Sequence, residues 1–200
     1  SGSRAEDEKA SEFLASTDQW FRPVQARTGP DGALYIVDMY RFLIEHPRWI
    51  AADRLQKIDA RAGAGLGRIY RVVPEGRSLR PVRNLANMDA GELGAALDSP
   101  NGMERDRVHL ELLNRGDRAA VGSLVKVANS SEHASARAQA LCVLDGLESL
   151  TPSMLTMALT DVHPGVRAQV LRLSEHFLRD STPATEGLRR AVPALRHDFE

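Results

Sequence analysis

Six polar side chains crowd into the stretch from Asp38 to Arg48: Asp38, Tyr40, Arg41, Glu45, His46 and Arg48. An imidazole titrates near neutrality, so His46 could accept and return a proton, with Glu45 or Asp38 orienting its ring. The guanidinium groups of Arg41 and Arg48 suit an anionic ligand, which their planar donor forks could clamp. The same residues also admit a structural reading. Asp38 and Arg41 would then tie a loop to neighbouring strands, and Trp49 would anchor that loop by burial. No nucleophile stands at a recognisable spacing from a base, so no residue is assigned a catalytic role.

Other chemistries lack their residues. His109, His133, His163 and His176 are spread over separate segments, and no His-Glu-x-x-His occurs, so no metal site is expected. Gly63, Gly65 and Gly67 precede a strand pattern rather than a helix, which makes them a loop and not a phosphate cradle. Cys142 is the single cysteine; an intrachain disulfide is excluded, and its place between Leu141 and Val143 reads as a small buried hydrophobe.

The chain has 200 residues and a net charge of −1. Residues 1–80 hold 13 basic and 11 acidic side chains (+2), and residues 81–200 hold 13 and 16 (−3). Neither part carries the basic excess of a nucleic-acid binder. No stretch approaches the roughly 20 apolar residues that span a bilayer. Ser1 to Glu12 is polar and charged, unlike a signal peptide. The missing Met start, and an end just past an incomplete helical unit, give the expectation of a piece of a longer polypeptide.

Two regions must position these residues, a strand-rich one over 1–80 and a helical one over 81–200. Residues 1–19 form a charged lead-in, helical through Ala10–Ala15. Gly29-Pro30-Asp31-Gly32 is turn chemistry, with proline presetting φ and glycine supplying the left-handed position. It joins Val24–Arg27 to Ala33–Asp38 as a hairpin, the second strand apolar on both faces as if buried on both. Pro47 interrupts the next segment, Ala51–Ala62 has a mixed, helical composition, and Gly67–Val73 alternates polar and apolar as a half-exposed strand.

From Met88 onward the pattern is helical. Asp89 with Glu92 and Asn101 with Glu104 read as capping boxes. Asp117, Ser131, Thr151-Pro152, Asp161 with Pro164, and Thr182-Pro183 open further helices, the fourth of these carrying Phe177 and Leu178 inside it. The methionines of these helices read as core filling. Asn101, Ser131 and Asp161 recur every 30 residues, and so do Arg107, Arg137 and Arg167, each six places on. Small or branched residues follow at once (Val108, Ala138, Ala168), and larger ones at Leu113, Val143 and Leu173. Such a period predicts an α-solenoid of stacked helical hairpins, with about three and a half pairs.

The Asp161–Pro164–Val166–Arg167–Ala168 run resembles the HEAT-repeat signature in its compact form. In that family the aspartate and arginine form a ladder between repeats. The resemblance carries this role to Asp161, Arg107, Arg137 and Arg167, while Ser131 and Asn101 keep a cap but lose the charge. Phe21-Arg22-Pro23-Val24, then Gly29 to Arg41, then Gly67-Arg68-Ile69-Tyr70-Arg71-Val72 resemble a blade of the bacterial putative membrane-bound dehydrogenases. These are propellers similar to the glucose/sorbosone dehydrogenases, joined to HEAT-like repeats and often to a haem-c domain.

That resemblance implies a mainly α fold preceded by a small antiparallel propeller-blade remnant, with a terminal blade segment over 1–80 and helical repeats over 81–200. It implies a non-catalytic part of a sugar or alcohol dehydrogenase, its repeats acting as interdomain or protein-docking scaffold. The parent would use quinone and haem c; no Cys-x-x-Cys-His is present here, so no covalent haem site is expected in these residues, and no residue is assigned to the quinone. Partners would be the other blades and a haem-c domain, or a separate protein, and the location periplasmic or exported. The alternatives are a stand-alone HEAT-repeat interaction module without a redox role and, ranked last, a self-sufficient site at 38–48.

Overall fold

A computed structural model describes residues 12–179 and 181–195. Among the described residues the chain forms eight α-helices and one three-stranded antiparallel sheet. They fall into two compact units divided between Leu79 and Arg80, the turn residues Pro30–Gly32 counting with the second.

The first unit is built on β1 (Pro23–Thr28), β2 (Leu34–Asp38) and β3 (Arg68–Val72), with β2 in the centre. Gly32 takes φ +86°, the left-handed value the turn requires, and Gly29 N–H donates to Ala33 O at 2.8 Å. The register sets Ala26, Ile36 and Tyr70 abreast, then Arg27, Tyr35 and Arg71. A bulge between Pro23 and Gln25 sits where proline removes a ladder donor. Burial of β2 is less complete than its apolar run suggests. Ile36 is 4% exposed, but Leu34, Tyr35 and Val37 are half-buried. β3 is exposed through Arg71, so its alternation of residue types does not become an alternation of burial. Residues 12–15 form no helix, and the rest of Ala10–Ala15 lies outside the described residues.

Between β2 and β3 runs a long loop that holds a 3₁₀ turn, Pro47–Trp49, and one short helix, α1 (Ala52–Leu55). Trp49 is 80% exposed, which corrects the reading of it as a buried anchor. The turn is held instead by its own backbone, Trp49 N–H to His46 O and Ile50 N–H to Pro47 O. The loop closes where Phe42 N–H meets Ala62 O at 3.4 Å. Gly63, at φ +86°, follows, and a Cβ there would strike the Tyr40 carbonyl oxygen. Gly63→Ala is therefore expected to destabilise this unit by about 1–3 kcal/mol, read as a lower urea midpoint.

The second unit holds α2 (Ala90–Ala96), α3 (Gly102–Arg115), α4 (Val121–Ser130), α5 (Ala134–Gly146), α6 (Pro152–Ala158), α7 (Pro164–Ser174) and α8 (Glu186–Ala191). The Asp89–Glu92 capping box forms with both bonds, at 2.8 and 3.0 Å. Thr151 Oγ1 accepts from Met154 N–H with Pro152 at the first helical position. At α3 the box is half made. Asn101 Oδ1 accepts from Met103 N–H and Glu104 N–H, but the Glu104 carboxylate turns to Arg107 at 2.6 Å. Asn101 N–H is taken by Ser99 Oγ.

Four boundaries differ from expectation. Ser131 and Asp161 stand two residues ahead of the helical caps His133 and His163, each accepting from that histidine's N–H in an Asx- or Ser-type turn. Helix α7 ends at Ser174, leaving Phe177 and Leu178 in the following turns, and α8 begins at Glu186 after a Thr182–Thr185 turn.

One continuous hydrophobic cluster runs from Leu85 to Leu188, with Leu93, Leu97, Leu124, Leu144, Leu155 and Leu188 fully buried. Packing runs between near neighbours: α2 on α4, α4 on α5, α3 on α5, α5 on α7, and α6 on both α7 and α8. Met88 and Met154 pack against the core, whereas Met103 and Met157 are exposed, so core filling describes only the first two. Cys142 is half-buried and its Sγ accepts from Gln169 Nε2 at 3.3 Å. Burial pushes its thiol pKa up, away from reactivity.

Candidate functional site

The polar centre of the first unit is the Asp38 carboxylate, 1% exposed at the end of β2. Its Oδ1 accepts from Arg22 N–H at 2.8 Å and Tyr40 N–H at 2.9 Å, and its Oδ2 accepts from Arg68 Nε at 3.0 Å. Arg68 arrives because β3 pairs with β2 in the register that sets it directly opposite Asp38. Its guanidinium lies over the Tyr40 ring at 3.9 Å and reaches Asp18 Oδ2 at 3.4 Å. The Trp20 ring packs on Tyr40 and on Phe42, each at 5.7 Å between centroids. Met39 N–H and Arg41 N–H return to Arg22 O and Trp20 O, closing the strand end onto the segment before β1.

Tyr40 takes φ 50°, which is costly for a bulky residue. The Asx-type bond from its own N–H to Asp38, together with the ring contacts, over-determines that conformation.

The electrostatics follow from these contacts. Burial pushes the Asp38 carboxyl up, but the Arg22 N–H, the Arg68 guanidinium and the Tyr40 N–H outweigh it and leave the pKa below the ordinary value. The Trp20 N–H and the Tyr40 hydroxyl hold Asp18 down as well. The bond to Asp18 pushes the Tyr40 phenol up, so it stays protonated near neutrality. Both Asp38 oxygens thus accept hydrogen bonds and the carboxyl stays ionised near neutrality, so it works as a structural knot.

Of the six residues marked by sequence, Asp38 and Tyr40 enter this knot. Arg41 is half-buried and its Nη1 lies 3.5 Å from Arg61 O within the loop. Glu45, His46 and Arg48 are exposed. His46 Nδ1 accepts from Arg48 N–H at 3.1 Å and so caps the 3₁₀ turn. Residues the sequence reading did not mark are Asp18, Trp20 and Arg68. The β2–β3 register could have revealed Arg68; nothing local pointed to Asp18.

In the second unit the arginines repeat a single interaction. Arg137 Nη1 donates to Ser131 O at 2.8 Å, and Arg167 Nη1 to Asp161 O at 2.6 Å, each six residues back. The same bond joins Arg105, within α3, to Ser99 O ahead of that helix at 2.7 Å, so Arg105 and not Arg107 makes the equivalent contact. Arg107 binds Glu104 and Arg83 O. Arg137, in α5, also grips Asp161, just ahead of α7, with two bonds, Nε–Oδ2 at 2.6 Å and Nη2–Oδ1 at 2.7 Å. Ser131, thirty residues before Asp161, offers no carboxylate; its hydroxyl donates to Asp98 at 2.6 Å, and Arg105 turns to Gln139 at 3.1 Å.

Among the described residues no three His, Cys, Asp or Glu side chains converge as metal ligands, and no helix is long and apolar enough to cross a membrane. The residues present do not fit covalent haem c, whose attachment takes a Cys-x-x-Cys-His run; Cys142 stands alone in α5.

No curated protein and no solved structure matches the chain. Residues 1–76 match the family model of a domain of unknown function, DUF7133.

Proposed function

We propose that this chain is a non-catalytic part of a propeller-type sugar or alcohol dehydrogenase, its first unit a terminal blade segment and its second a HEAT-like α-solenoid that acts as interdomain or protein-docking scaffold. The observation that carries the reading is the open sheet. β1 and β3 are edge strands with no partner on their outer side among the described residues, and Val24, Ile69 and Val73 stand 57%, 65% and 46% exposed. Edges and apolar area of this kind call for a neighbouring strand or sheet. The repeated arginine-to-carbonyl bond and the near-neighbour packing of the helices support the solenoid. In this proposal quinone and haem c belong to other parts of an exported polypeptide.

The stand-alone interaction module is the second reading. It draws on the fact that the arginine bonds of the second unit need nothing from the first. The reading frame around this stretch separates the two. The dehydrogenase reading expects further four-stranded units encoded ahead of Ser1 and a Cys-x-x-Cys-His after Glu200; a frame with neither would refute it. It also expects no dye-linked oxidation of sugars or alcohols by the 200 residues alone.

A further inference from the structure

We draw no further inference here: the strongest candidate, the apolar surface that Phe42, Ile44 and Trp49 expose on the long loop between β2 and β3, carries nothing, because the exposed charges on that loop are of both signs and nothing in the structure shows what covers it.

Discussion

Asp38→Ala should lower the stability of the sheet unit by about 2–4 kcal/mol, the cost of leaving two backbone donors and a guanidinium without their acceptor. The substitution strips the partner from Arg22 N–H, Tyr40 N–H and Arg68 Nε together, at a site 1% exposed. It also removes the bond that steadies Tyr40 at positive φ. Asp38→Asn keeps an oxygen for the two amides and loses the charge facing Arg68, so it should recover part of the loss. Both tryptophans, Trp20 and Trp49, lie in this unit, so urea unfolding followed by tryptophan fluorescence reads it selectively. An unchanged fluorescence midpoint in Asp38→Ala would show that the knot holds nothing together.

The same variant has a pH signature. The folded pKa of Asp38 lies below its ordinary value, so the carboxylate contributes stability that is present above the unfolded pKa. That contribution is lost as pH falls through the folded value. The wild-type fluorescence midpoint should therefore decline on the acid side of the ordinary carboxylate range, and Asp38→Ala should decline less steeply there.

The second large effect belongs to Asp161. Its two bonds to Arg137 are made by side chains each 11% exposed, and it also accepts from His163 N–H at 2.8 Å. Asp161→Ala should cost about 2–3 kcal/mol, with Arg137 left without its counter-charge. A double-mutant cycle with Arg137→Met should return a coupling of about 1–3 kcal/mol, because much of each single loss is the stranded partner. The readout is helical circular dichroism, and tryptophan fluorescence should barely move. The exposed pair Arg118–Glu148, at 62% and 86%, is the internal control, with a coupling of about 0–1 kcal/mol. Arg137 holds Asp161 below the ordinary carboxylate value, so this contribution too is present at neutral pH and lost in acid. A coupling at Arg137–Asp161 no larger than at Arg118–Glu148 would mean that the bidentate contact does not tie α5 to the segment ahead of α7.

Features that depend on a few adjacent residues were legible before any coordinates. Proline presets the φ of the turn at Pro30–Gly32 and glycine supplies its left-handed place, whatever surrounds them. The Asp89–Glu92 box and the Thr151–Pro152 start also close within one helical turn. The thirty-residue recurrence was legible for Arg137 and Arg167 and misleading around Arg107. There two arginines stand two residues apart, and the spacing Ser99 to Ser131 is 32, not 30. Only the carbonyl that each guanidinium reaches tells Arg105 from Arg107.

The candidate site divides along the same line. The polar run from Asp38 to Arg48 is conspicuous in the chain, yet three of its members face solvent, and Asp38 finds its counter-charge 30 residues away across a strand pair. Strand register sets such a partnership, and a slip of one residue would turn Arg68 to the opposite face. Local chemistry therefore chose the turns, caps and helices of this protein. Pairing and burial, which sum over residues far apart in the chain, chose which charges meet.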